Sequence, residues 1–249
     1  MKRAMAVLLI AVLFLAMVPA FAEEKAAEGE ETSQLPDAGS FGDIGTVILF
    51  GNFEQDGDEE NGPEPIEWIV SDQKDGKALL VSKYALDARA YNTDPGAVTW
   101  EDCTLREWLN NDFLNIAFNE NELKYIRVTE VDNSREQGFS EYSSDGGNNT
   151  QDRVFLLSYH EAFDLCFAND ESRMCAPTDL AMNHGGDHSG YYLTEEGRDA
   201  GEWWLRSPGY NQDMAMLVSR DGTKHQMYVE IAMKNVRPAM WVDVWDRLE

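Results

Sequence analysis

Trp203-Trp204-Leu205-Arg206-Ser207-Pro208-Gly209 and Val236-Arg237-Pro238-Ala239-Met240-Trp241 decide how this chain folds. Each places one arginine inside a run of interior-type residues. A guanidinium keeps its charge at any ordinary pH, so burying it requires a counter-charge or several carbonyl acceptors. Arg206 and Arg237 are therefore expected to hold strands together rather than to meet a substrate. With Trp68, Trp108, Trp203 and Trp241, and with Trp100 beside them, they form the expected structural core. The two tail segments should lock against the opening sheet.

That opening sheet is legible upstream. Thr46 to Phe50, Glu67 to Val70 and Ala78 to Ser82 read as strands, the last two joined by Asp75-Gly76. Asp-Gly between apolar runs marks a hairpin, because both residues tolerate positive φ. A second such turn, Asp221-Gly222, separates Met214–Ser219 from Gln226–Ile231, and Val236 to Val244 reads as the closing strand. The middle is helical. Thr104-x-x-Glu107 has capping-box spacing, and Leu105, Trp108, Leu109, Phe113, Ile116 and Ala117 follow at helical intervals. Asn119 with Glu122, and Ser158 with Glu161, open two further helical turns; Val154 to Leu157 has strand composition. Asn133–Asp152 and Pro177–Gly201 lack periodicity and read as long loops. Strands flanking a helical middle predict an α+β domain rather than alternating βαβ units.

Lys2-Arg3, the apolar run from Ala4 to Val18, and Pro19-Ala20-Phe21-Ala22 have the form of a secretory signal peptide, residues 1–22, cleaved after Ala22. The apolar run is short against the roughly 20 residues that cross a bilayer, so no membrane span is expected. Residues 23–40 are acidic and poor in large apolar side chains, an expected disordered spacer. Residues 41–249 are expected to form one domain. Its net charge is strongly negative, −26 for the whole chain, which excludes nucleic acid and anionic membrane surfaces as partners. The three cysteines, Cys103, Cys166 and Cys175, leave one disulfide open, either Cys103–Cys175 or Cys166–Cys175, or none.

The order of segments resembles a family of exported bacterial proteins, the "domain of unknown function 6273". The resemblance is carried by Phe50 to Asp56, Glu64 to Trp68, Leu79 to Asp87, Thr99 to Leu114, Val131 to Asn133, Trp203 to Gly209 and Val236 to Trp241. It implies a fold similar to C-type lectin-like domains, with a mixed or antiparallel sheet drawn from both chain ends, two or three helices and long loops. It also implies an extracellular or cell-surface setting in anaerobic bacteria. The family has no assigned reaction and so implies no catalytic residues.

Other side chains offer candidate chemistry. Asp56-Gly57-Asp58-Glu59-Glu60-Asn61 resembles a calcium loop, but it is too short and lies between strands, so it reads as a solvated hairpin tip. His184 and His188 have helical zinc spacing, but Gly185-Gly186 opposes the helix. No catalytic residue, metal ligand or cofactor is assigned. The binding candidates are Tyr210, Asn211, Gln212 and Asp213 with Arg220, His225 and Tyr228, polar and aromatic groups on turns over a rigid sheet. The expectation is a secreted recognition module for extracellular protein or carbohydrate. The alternative is an extracellular enzyme on the same scaffold, a wall or glycan hydrolase or a relative of the formylglycine-generating oxidases.

Overall fold

The computed structural model describes residues 41–244. The expected signal peptide and acidic spacer lie outside the described residues. The strands are β1 (Val47–Phe53), β2 (Glu64–Lys74), β3 (Lys77–Ser82), β4 (Asp87–Ala88), β5 (Thr129–Val131), β6 (Thr150–Asp152), β7 (Ser189–Leu193), β8 (Asp199–Ala200), β9 (Trp203–Pro208), β10 (Met214–Val218), β11 (Lys224–Tyr228), β12 (Asn235–Val236) and β13 (Ala239–Asp243). With short helical segments between them, the class is α+β, mostly strand. β1-β2-β3-β13 form one sheet and β11-β10-β9-β12-β4 a second, with two small hairpins, β5-β6 and β7-β8, beside them.

Local chemistry explains most of the first sheet. Asp75 and Gly76 have φ of 53° and 71°, and Lys74 pairs with Lys77, a two-residue turn that matches strand twist. β1 bulges between Leu49 and Asn52, where Gly51 takes φ 72°. A Cβ there would lie 2.5 Å from the Phe118 ring and 2.7 Å from the Ala117 carbonyl, so only glycine lets the helix approach. Trp68 is fully buried and donates its indole N–H to the Phe50 carbonyl at 2.7 Å.

The closing segment differs from the expected single strand. β12 runs parallel to β9 in the second sheet, and β13 pairs antiparallel with β3 in the first, from Ala239↔Val81 to Asp243↔Lys77. The chain changes sheets at Arg237-Pro238. Proline has no N–H to continue a ladder, and its carbonyl instead accepts from Ser82 N at 3.0 Å. The opening and closing strands therefore meet, as the sequence led us to expect.

The helical middle is continuous but not regular. An α-turn (Thr104–Trp108) passes into a π-turn (Leu109–Phe113) and back to α (Leu114–Ala117). The extra π residue rotates the following turn, so Ile116, expected on the buried face, is 66% exposed. Cys103, not Thr104, caps this helix, its sulfur accepting from Arg106 N at 3.4 Å. The other two boxes close reciprocally. Ser158 N donates to Glu161 Oε2 (2.8 Å) and Glu161 N to Ser158 Oγ (3.0 Å); Asn119 and Glu122 do the same at 2.8 and 3.1 Å.

Three expected irregular or extended stretches are corrected. Val154–Leu157 is not a strand; it bridges at Phe155↔Ala239, and the Leu156 and Leu157 carbonyls are taken by Arg206. The Asn133–Asp152 stretch contributes β6 and a 3-10 turn, Arg135–Gln137. The Pro177–Gly201 stretch contains a helix capped by the Thr178 side chain (Asp179–Asn183) and the β7-β8 hairpin.

Candidate functional site

The two arginines are buried in different ways. Arg206 is 3% exposed and its donors are met: Nε by Asn133 Oδ1, Nη1 by the Leu156 carbonyl, Nη2 by the Asp132 carbonyl, and both Nη atoms by Glu161. Arg237 is 1% exposed and forms no ion pair among the described residues. Its Nε donates to the Ser82 carbonyl at 2.9 Å and its Nη1 to the Arg173 carbonyl at 3.2 Å. The guanidinium sits 4.8 Å from the Phe167 ring and 4.9 Å from that of Trp203. Trp203 is buried with it. Trp108 and Trp241 are half-buried instead, at the rim of the core, where Arg89 and Lys74 cover their rings at 4.0 and 4.5 Å.

The residues proposed for binding do not form one site. Side chains alternate across a strand, so β11 sends Lys224, Gln226 and Tyr228 to one face and His225 to the other. Gln226 Oε1 accepts from Tyr210 N, and Lys224 lies 4.4 Å from the Phe139 ring. His225 Nδ1 lies 3.4 Å from Glu202 Oε1, on the opposite face. Tyr210 and Tyr228 are exposed; Arg220 stands at the far end of the hairpin.

On the first face an aromatic series runs outward. Phe163 stacks on Tyr159 at 4.6 Å, Tyr159 meets Phe139 at 5.2 Å, Phe139 meets Tyr142 at 5.0 Å, and Tyr142 meets Tyr210 at 5.7 Å. Tyr210 ends it, 62% exposed. Its turn is fastened. Gln212 Nε2 donates to the Asp145 and Val98 carbonyls, Asp145 N donates to Gln212 Oε1, and Ser144 Oγ contacts the Gly209 and Tyr210 carbonyls. Gln212 is thus a brace for the turn. Phe139 and Tyr142 were not among the expected binding residues, although two aromatic side chains in a Ser-, Asn- and Gly-rich stretch signal that the stretch packs against something.

The second face is ionic. Asp187 pairs with Arg220, and Lys234, itself buried, with Glu202. Burial alone would push the Asp187 carboxyl up, but the Arg220 hydrogen bond, the Glu202 backbone N–H and the Lys234 charge outweigh it and hold the group below the ordinary carboxylate range. Arg220 is therefore committed within the protein. His184 and His188 diverge: His184 Nδ1 is 2.6 Å from buried Asp87, and His188 Nδ1 is 3.1 Å from the Gly186 carbonyl. In the β1–β2 loop, Glu54, Asp56 and Glu64 bring carboxylate oxygens within 4.8 Å of one another. The same carboxylates serve the turn, Glu54 Oε1 accepting from Gly57 N and Glu64 Oε2 from Gln55 N, each at 2.7 Å.

All three cysteines are free thiols. Burial pushes Cys103 and Cys166 up to about 12 and also raises Cys175. Two hollows share Ile44, Ser71 and Cys166: a groove of about 640 Å³ walled by Leu79, Val128, Leu165 and Trp241, and a pocket of about 350 Å³ that Arg237 lines.

A strand-rich α+β domain with arginine-pinned sheets and a tyrosine-edged surface defines a small scaffold domain. Residues 75–244, more than half of the chain, match the family model described as "Domain of unknown function (DUF6273)", and the chain belongs to that family. The stretches Phe50–Asp56 and Glu64–Trp68 lie ahead of the matched residues. No curated protein matches the chain significantly, and no solved structure does either.

Proposed function

We propose that the chain is a secreted or cell-surface recognition module of bacterial origin, on a scaffold similar to C-type lectin-like domains. In this reading residues 1–22 direct export, 23–40 form a spacer, and 41–249 bind extracellular protein or carbohydrate. The observation that carries it is the aromatic series ending at exposed Tyr210 on a fastened turn. Tyrosine offers large contact area with few torsions to freeze, and a rigid turn lowers the ordering cost of binding. The hollow between Phe139, Tyr142, Ser144 and Pro208 is only about 10 Å³, so this face suits an extended surface contact rather than an engulfed small molecule. Sheets built from both ends of the chain and the acidic charge support the reading.

The full chain is applied to glycan and extracellular-protein arrays beside Tyr210→Ala and Tyr142→Ala. The expected result is a ligand retained by the wild type and weakened at least about tenfold in both variants, with unchanged thermal stability for Tyr210→Ala. Silence across broad arrays, or a ligand indifferent to both substitutions, would overturn the reading.

A further inference from the structure

We propose that Arg237 anchors a second binding site, a pocket for a single carboxylate carried on an apolar stem. The two core arginines make the case by contrast. Arg206 has Glu161 as counter-charge and acceptors for every nitrogen. Arg237 is more deeply buried, yet of its five N–H groups only one on Nε and one on Nη1 have acceptors. Nη2 has none among the described residues, and no carboxylate pairs with the guanidinium there. Nη2 is not among the sealed, unpaired side-chain atoms, so it opens to the hollow, where water or a ligand supplies the missing acceptor. Carbonyls on two edges and aromatic rings at 4.8 and 4.9 Å fix its orientation before any ligand arrives.

The guanidinium is not sealed off. It lines the pocket of about 350 Å³ together with Ile69, Phe167, Met174 and Ala176, a mainly apolar wall. Its size falls at the small end of ligand sites. The rim carries Glu171, Glu195 and Glu196, with Glu196 held by Lys83 and by Tyr84 Oη. That acidic rim disfavours phosphate and other multiply charged anions and admits one carboxylate with an apolar tail. The ligand is a free aliphatic monocarboxylate or the apolar C-terminal end of a peptide; both present the same group. This site lies apart from the Tyr210 face and does not rest on it.

The test is calorimetry on the full chain with hexanoate and N-acetyl-leucyl-leucine as the two sources, and hexan-1-ol and inorganic phosphate as controls. One or both carboxylates are expected to bind saturably, at least about tenfold more tightly than the alcohol, as a charge-assisted hydrogen bond predicts; the tighter one identifies the source. Phosphate is expected not to bind. Because Arg237→Gln removes donors from the Ser82 and Arg173 carbonyls in the core and can unfold the domain, the deciding variant is Ala168→Trp, which fills the pocket from its exposed wall and leaves the arginine itself in place. It should keep the wild-type melting temperature and lose carboxylate binding. No binding by either carboxylate, equal binding by the alcohol, or undiminished binding to Ala168→Trp overturns the proposal.

Discussion

Replacing Arg206 with alanine removes the donors for the Leu156 carbonyl, the Asp132 carbonyl and Asn133 Oδ1, and strips Glu161 of its counter-charge. Each orphaned acceptor costs about 1 kcal/mol or more, which gives roughly 3 kcal/mol before any cavity is counted. Breaking a buried ion pair costs about 3–5 kcal/mol, and the lower end applies because Glu161 is 23% exposed and water can reach it. Both routes converge on about 3 kcal/mol, a large part of the roughly 5–15 kcal/mol that holds a domain folded. For a domain of this length that is a fall of about 6–12 °C in melting temperature. Equilibrium urea unfolding, followed by tryptophan fluorescence, measures it directly, and soluble yield should drop in parallel. Arg206→Lys keeps a charge but not the planar fork, so it should fall between wild type and alanine. An Arg206→Ala unfolding free energy within about 0.5 kcal/mol of wild type would refute the structural role of this side chain.

Three further outcomes are expected. Gly51→Ala should cost about 2–4 kcal/mol, since it combines positive φ with overlap against Phe118, whereas Gly62→Ala, at φ 83° with open space around it, should cost only about 1–2 kcal/mol; paired urea unfolding curves separate overlap from backbone strain. The folded Asp187 carboxyl titrates below its unfolded value near 3.8, so its contribution is complete above that pH and is lost as the pH falls through the folded pKa; unfolding curves between pH 5 and pH 2 should show the wild type losing its advantage over Asp187→Asn across that acid range. Finally, a thiol-reactive dye should label native Cys103 and Cys175 far more slowly than the same cysteines in urea, because burial both shields the sulfurs and suppresses the thiolate; equal rates in the two states would contradict this packing.

Much of the fold was legible because its signals are local. The Asp75-Gly76 turn, the Ser158 and Asn119 capping boxes and the apolar runs of β2, β3, β9 and β10 depend on torsional preference and side-chain reach within a few residues. The misreadings share another cause. Ile116 left the core because a π-turn, set by packing, broke the 3.6 period. Val154–Leu157 has strand composition, but Arg206 of β9 took the carbonyls a neighbouring strand would have used, Leu156 with its guanidinium and Leu157 with its backbone N–H. Gln212 looked like a ligand-facing amide, yet Val98 and Asp145, distant in sequence, made it a brace.

From its sequence alone the chain settled that two arginines would be buried, that strands would flank a helical middle, and where two of its hairpins turn, since charge that cannot be shed and backbone torsion are properties of residues and their near neighbours. Tertiary structure alone decided that Val236 and Ala239 would enter different sheets, that the β10-β11 hairpin would divide tyrosines from ions, and that Arg206 would be fully paired while Arg237 was not. Those outcomes depend on which carbonyl, ring or carboxylate arrives from 45 to 155 residues away, and no local pattern encodes that arrival.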